Sequence, residues 1–284
     1  HPVAHSFPTR RSSDLIITIS RDSYSFGKQV AGYVADILGY QCIGPETIGN
    51  NLKLDDFFRD KKGFFNDYYR DTGIKKQQSF ALFRSAFFEY VKQDNIVYCG
   101  TSGHIFLSNV PNVIKVRLLA DFNDRVKEKM RRESLSYHEA SKTLTLADEA
   151  FLHQRDYSEE EIQKTDYSLY EILLNLSKIE LDTAVAVIVN MVRELSEKSP
   201  RQEAMQSRLE DLALVARVEA RLFEFFDQVE AVVRNGEVFI SIKESRSRGE
   251  NAEKMIEKAM KIVSQIKGLH KAKIGVIQPA DPIL

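Results

Sequence analysis

The residues best placed to do chemistry stand between positions 20 and 29, Ser20-Arg21-Asp22-Ser23-Tyr24-Ser25-Phe26-Gly27-Lys28-Gln29. This polar turn follows Leu15-Ile16-Ile17-Thr18-Ile19-Ser20, an apolar run rich in β-branched residues that suits a buried parallel strand. After it, Val30, Val34, Ile37 and Leu38 recur at helical spacing, with Gly39 as a stop. Strand, loop and helix in that order form the unit that binds phosphates in many nucleotide enzymes. With a strand before it and a helix after it, Lys28 is better read as a phosphate cation than as an exposed first-turn lysine. Other reactive side chains promise less. Cys42 and Cys99 lie far apart in apolar surroundings, at no metal-ligand spacing, and read as small buried hydrophobes of a reducing compartment. His1 and His5 belong to a tail without periodicity and are solvated side chains, not metal ligands.

The elements that must position this turn follow from pattern. Residues 45–94 are mostly helical and rich in aromatics, with Phe80, Phe83, Phe87 and Tyr90 on one helical face as core. Residues 95–100 and 113–119 read as the second and third strands, and a basic helix covers Asp124 to Arg132. Ser136 and Glu139 form a capping box for a helix reaching about His153, and Ser158 with Glu161 repeat the signal. A fourth strand spans 170–174 and an amphipathic helix 182–195. Strands alternating with helices imply a mostly parallel sheet covered on both faces. Ser196 to Gln206, polar and holding Pro200, is the linker candidate. Beyond it come a helix over 207–227, two β-rich runs joined by Asn235-Gly236, a second helix and a last strand over 273–277, an αββαβ unit.

Bulk properties bound the partners. With 284 residues, 43% of them apolar and 29% charged, the chain has the make-up of a well-packed soluble protein. A formal charge of −1 from 40 basic and 41 acidic residues pulls it neither to nucleic acid nor to an anionic membrane. There is no transmembrane run, and a cytoplasmic location is expected. Residues 1–14 lack a signal-peptide core and are expected to be a disordered or non-native tail.

Ile17-Thr18-Ile19-Ser20-Arg21, then Ser25, Gly27, Lys28 and the run Gln29 to Tyr40, resembles the opening of cytidylate-kinase-like proteins. Ile96 to Gly100 resembles the family's strand ending in Gly-Arg, and Val113 to Ala120 with Arg125 its next strand and helix start. Met130-Arg131-Arg132-Glu133 with Ser136 to Ala140 resembles an arm of the lid, and Tyr170 to Asn175 a Tyr-Asp-Leu-x-x-Asn run. The resemblance covers residues 15–197. It implies a P-loop NTPase-type α/β fold with helices on both faces of a parallel sheet, and transfer of a phosphoryl group from ATP-Mg²⁺ to a nucleoside monophosphate such as CMP or dCMP. By the same resemblance Arg21, Ser23, Ser25, Gly27, Lys28 and Gln29 surround the nucleotide, and Lys28, Arg131, Arg132 and Arg155 are the catalytic cations. No metal-ligating side chain is implied; Gln29 stands where common Walker loops carry a hydroxyl, which the family usually lacks. Arg131 and Arg132 remain open between lid cations and a solvated helix face.

Several positions depart from the family pattern. Tyr24 and Phe26 stand where the loop's glycines would be. Gly100-Thr101 replaces Gly-Arg, and Asp148-Glu149-Ala150-Phe151 replaces an Asp followed by arginines, leaving Arg155 as the near substitute. These are the marks of a degenerate loop with weak or lost turnover. Residues 207–279 resemble a BON domain through Val232, Val233, Asn235 to Val238, Ile240, Ile242, Gly268 and Val276. That resemblance implies a protein or phospholipid partner. The expected divisions are therefore a 1–14 tail, a 15–197 kinase-like domain, a 198–206 linker and a 207–279 BON-like domain. Three functions stay open: a nucleoside monophosphate kinase, a catalytically inactive nucleotide-sensing or interaction protein acting through the BON-like domain, and a kinase for another small substrate.

Overall fold

The computed structural model describes residues 15–50, 74–93, 95–100, 102–153, 167–196, 202–234, 236–243 and 251–277. In chain order the elements are β1 (Ile16–Arg21), α1 (Gly27–Leu38), β2 (Gln41–Ile43), α2 (Pro45–Asn50), α3 (Ile74–Val91), β3 (Ile96–Cys99) and α4 (Gly103–Phe106). Then come β4 (Val113–Leu119), α5 (Phe122–Glu133), α6 (Tyr137–His153), a 3₁₀ turn (Tyr167–Leu169), β5 (Ile172–Asn175) and α7 (Leu181–Ser196). The rest are α8 (Gln202–Leu222), β6 (Gln228–Arg234), β7 (Glu237–Lys243), α9 (Ala252–Val263) and β8 (Ala272–Ile277).

Grouped by proximity, the chain forms two compact units: residues 1–45 with 93–205, and residues 46–92 with 206–284. The segment between β2 and β3 thus clusters with the C-terminal residues.

The first unit is a P-loop kinase-type α/β fold. Its five described strands run in the order β2-β3-β1-β4-β5, and every pairing is parallel. A parallel central strand is covered on both faces, which is why β1 reads as an unbroken apolar run: Ile16, Ile17 and Ile19 are completely buried. Val30, Ala31 and Val34 of α1 and Ile188, Val189 and Val192 of α7 complete that core. The structure adds β2, which pattern reading passes over: it is three residues long with two of them exposed, so it carries almost no apolar signal. The segment expected as the second strand is therefore β3. Gly39 closes α1 in the left-handed conformation at φ 71°. The Ser136–Glu139 capping box forms, with the Ser136 N–H donating to Glu139 Oε2 at 3.0 Å and the Glu139 N–H to Ser136 Oγ at 3.3 Å. The second box, Ser158 with Glu161, lies outside the described residues, as do the aromatics between 57 and 69.

In the second unit, β6 and β7 pair antiparallel from Gln228↔Lys243 to Arg234↔Glu237. Gly236, at φ 75°, supplies the positive φ that so tight a hairpin needs. β8 joins β7 in parallel, giving a mixed three-stranded sheet. Val238, Ile240 and Ile242 alternate inward against Met255, Ala259 and Val263 of α9. Among the described residues no helix is long and apolar enough to cross a membrane.

Candidate phosphate-binding site

The turn after β1 lies at the C-terminal end of a central parallel strand, where ligands of open α/β sheets bind. Its shape is set by three local contacts. Ser25 is completely buried and its hydroxyl donates to the Asp22 carbonyl at 2.6 Å, tying the turn to itself. The Gln29 and Val30 N–H groups donate to the Phe26 carbonyl at 2.9 and 3.2 Å, which starts α1. The Arg21 side chain folds across Gly27 with its Nε 3.4 Å from Cys99 Sγ. A Cβ on Gly27 would stand 2.6 Å from Arg21 Cδ, so glycine is required by this close approach. Ser23, Lys28 and Gln29 are exposed.

Tyr24 and Phe26 both adopt left-handed backbone, at φ 60° and 59°. These are positions where glycine would be free of strain, and each side chain costs about 1–2 kcal/mol relative to it. Phe26 also serves as the N-cap of α1 without a capping side chain.

The helix α5 supplies the charge beside the turn. Lys129 Nζ lies 4.5 Å from the centre of the Tyr24 ring. The Arg132 guanidinium lies 6.0 Å from that ring and 5.9 Å from the Phe26 ring. Arg131 and Arg132 converge on Glu128: Arg131 holds it with two bonds of 2.9 and 2.8 Å, and Arg132 Nε with one of 2.5 Å. The Arg131 bonds first, and those of Arg132 with them, outweigh the cost of burial and hold the Glu128 carboxyl down at about 2. Both expected cations of this helix are thus present, and both are tied to one carboxylate on their own helix. Asp148, first of the run that departs from the family pattern, is neutralised: Arg125 grips it with bonds of 3.0 and 2.7 Å. Arg155 and Thr101 lie outside the described residues.

Sequence reading missed two groups at this edge of the sheet. Asp22 accepts from Arg117 of β4 and from the Ala120 N–H at 3.4 Å. Ser20 Oγ shares a 3.0 Å hydrogen bond with Nδ1 of buried His104, whose ring stacks on Tyr170 at 4.8 Å. Burial pushes the Tyr170 phenol up, against a lowering bond to Ser20. The hydrogen-bonded partners Ser20–His104, Asp22–Arg117 and Asp22–Ala120 are separated by 84 to 98 residues and leave no spacing signal.

Among the described residues no group of three His, Cys, Asp or Glu side chains is placed to hold a metal ion. Asp22, the carboxylate within the turn, is engaged by Arg117 and the Ala120 N–H. The orphan N–H groups of a helix start do fit a phosphate.

The chain is similar in fold to an uncharacterized protein from Eubacterium ventriosum ATCC 27560, with 22% identity and a TM-score of 0.49 over 64% of this chain and 99% of that one. It is also similar to a shikimate kinase from Bacteroides thetaiotaomicron, with 13% identity and a TM-score of 0.42 over 63% and 98%. A gluconokinase from Sinorhizobium meliloti 1021 gives 14% identity and a TM-score of 0.42 over 66% and 97%. No curated protein matches the sequence. The sequence model of the cytidylate kinase-like family, however, matches residues 16–178, which is more than half of the 284. A parallel sheet in the order β2-β3-β1-β4-β5, a phosphate-type turn after β1 and that match together establish that the chain belongs to the cytidylate kinase-like family.

Proposed function

We propose that the protein transfers the terminal phosphoryl group of ATP to a nucleoside monophosphate of the CMP or dCMP kind, giving ADP and the diphosphate. One observation carries this reading: in a chain of this family, the turn 21–28 opens α1 at the end of β1 with the cations of α5 beside it. Phosphoryl transfer asks a protein for positioning and for positive charge around the moving group. The N–H groups at the start of α1, with Ser23, Ser25, Gly27 and Gln29, cradle the donor phosphates while Arg21 fixes the turn beneath them. Lys28 reaches the phosphates, and Arg131, Arg132 and Arg155 balance charge at the transferring group. Mg²⁺ arrives with the nucleotide. Strained Tyr24 and Phe26 in the cradle predict slow turnover.

The same reading divides the chain into a kinase-like domain over 15–197 and a BON-like domain over 207–279, in a cytoplasmic protein. The order α8-β6-β7-α9-β8 supports the second assignment, and a protein or phospholipid surface is the partner it implies.

Calorimetric titration with ATP-Mg²⁺, wild type against Lys28→Ala, tests the reading together with conversion of CMP to CDP followed by chromatography. Binding by the wild type, at least tenfold weaker in the variant, is expected. A folded wild type that neither binds ATP-Mg²⁺ nor forms CDP at saturating substrate sinks it.

A further inference from the structure

Tyr24 is the bulkiest departure in the turn, and it is anchored. Its ring packs into the small core formed by Val126 of α5 with Ala140 and Leu144 of α6. Its hydroxyl donates to Glu133 of α5 and accepts from Lys129 Nζ at 3.1 Å. Lys129 is 8% exposed, unlike Lys28, and it also bonds Glu133 at 2.7 Å. A nearly buried ammonium must be met by negative or π-rich groups. Here one carboxylate, one hydroxyl and one ring face meet it, and two of the three belong to a residue of the turn. Left-handed backbone at a tyrosine persists only where its surroundings hold it, and this clasp holds it.

We propose that Tyr24, Lys129 and Glu133 form a clasp that stores a cation at the phosphate turn. A polyphosphate anion entering the turn takes Lys129 over from Tyr24 and Glu133, which frees the turn to open. The ligand class is a nucleoside triphosphate or the triphosphate group alone. The inference deepens the kinase reading and rests on it for the ligand, while the clasp itself is a property of the unliganded protein. Lys129 thereby becomes a phosphate-binding residue that the family resemblance does not name. Tyr24 becomes its regulator: its ring seats the ammonium, and its hydroxyl competes for it.

The test uses the full chain and four variants, Tyr24→Phe, Lys129→Met, Lys129→Arg and Lys127→Met, each checked for folding by its melting curve. Deuterium uptake of residues 22–29 without ligand is read first. Loss of the hydroxyl in Tyr24→Phe raises uptake several-fold with the fold intact, whereas Lys127→Met, exposed on the same helix, leaves it unchanged. Equal uptake in Tyr24→Phe and wild type overturns the clasp whatever the protein binds. Titration with ATP-Mg²⁺ and with inorganic triphosphate follows. Lys129→Met weakens both about tenfold, Lys129→Arg restores most of the loss, and Tyr24→Phe tightens both several-fold. Lys129→Met binding as wild type does, in a wild type that binds, overturns the handover. A wild type that binds neither anion while Tyr24→Phe loosens the turn instead sinks the kinase reading, and with it the handover, and leaves the clasp standing.

Discussion

At the residue scale, the decisive group is Glu128. It is 4% exposed and is the shared acceptor of Arg131 and Arg132, so it decides how those guanidinium groups are held on α5. Its carboxyl is held at about 2 against an ordinary value of 4.5. A carboxyl whose folded value is depressed stabilises the fold above its unfolded value, and that contribution is lost as pH falls through the folded one. The window is therefore pH 4.5 down to about 2. The shift alone would give roughly 3 kcal/mol at neutral pH; because both arginines are partly solvated, about 1–2 kcal/mol is the better expectation. Glu128→Gln should lose that amount in urea unfolding at pH 7 and match wild type at pH 2. A variant as stable as wild type at pH 7 would show that the arginines carry no load. The turn and the helix it opens were legible in the sequence because they adjoin one another in it. Lys129 was not, because its partner Tyr24 is 105 residues away. The arginine pair stood open between lid cations and a solvated helix face, and only the structure shows one carboxylate holding both.

At the element scale, regular signals translated well. An unbroken β-branched run became β1, the Ser136–Glu139 pair became the start of α6, and Asn-Gly became the β6–β7 hairpin. What failed was short and half-exposed, namely β2, the end strand of the described sheet, for which backbone pairing with β3 along one side outweighs side-chain pattern. The join of β1 to α1 depends on Gly27 in a way composition does not reveal. Its missing Cβ is the space through which Arg21 passes on its way to Cys99. Gly27→Ala should push Arg21 off Cys99 and lower stability by roughly 1–3 kcal/mol, the usual cost of overpacking. Gly27→Ala combined with Arg21→Gly should recover part of that loss relative to Arg21→Gly alone, since both Arg21 Cδ and Arg21 Cβ, which would stand 2.6 and 2.8 Å from the added Cβ, are then gone. An uncompensated double variant in chemical denaturation would mean that the glycine serves backbone freedom instead.

At the scale of the whole molecule, the surprise lies in the second unit, whose parts come from two distant stretches of chain. Helix α3 carries Ala81 and Leu82 into a small core with Ala220 and Phe223. Glu219 of α8 fastens it: one oxygen accepts from Arg84 of α3, and the other from the Ala231 N–H of β6 at 3.2 Å. One carboxylate thus joins a helix, its neighbour and the first strand of the sheet. The pair spans 135 residues, so no sequence window contains it. Breaking a largely buried pair by removing one partner costs roughly 3–5 kcal/mol. Glu219→Ala should therefore cost about 3 kcal/mol, and the loss should be local. Deuterium uptake should rise together in residues 74–91 and 228–234 while β1 and β4 of the parallel sheet stay protected. If α3 instead keeps its protection while only β6 loosens, the helix is held by its apolar contacts alone. The segment between β2 and β3 would then behave as a passenger of the C-terminal unit, not as a structural part of it.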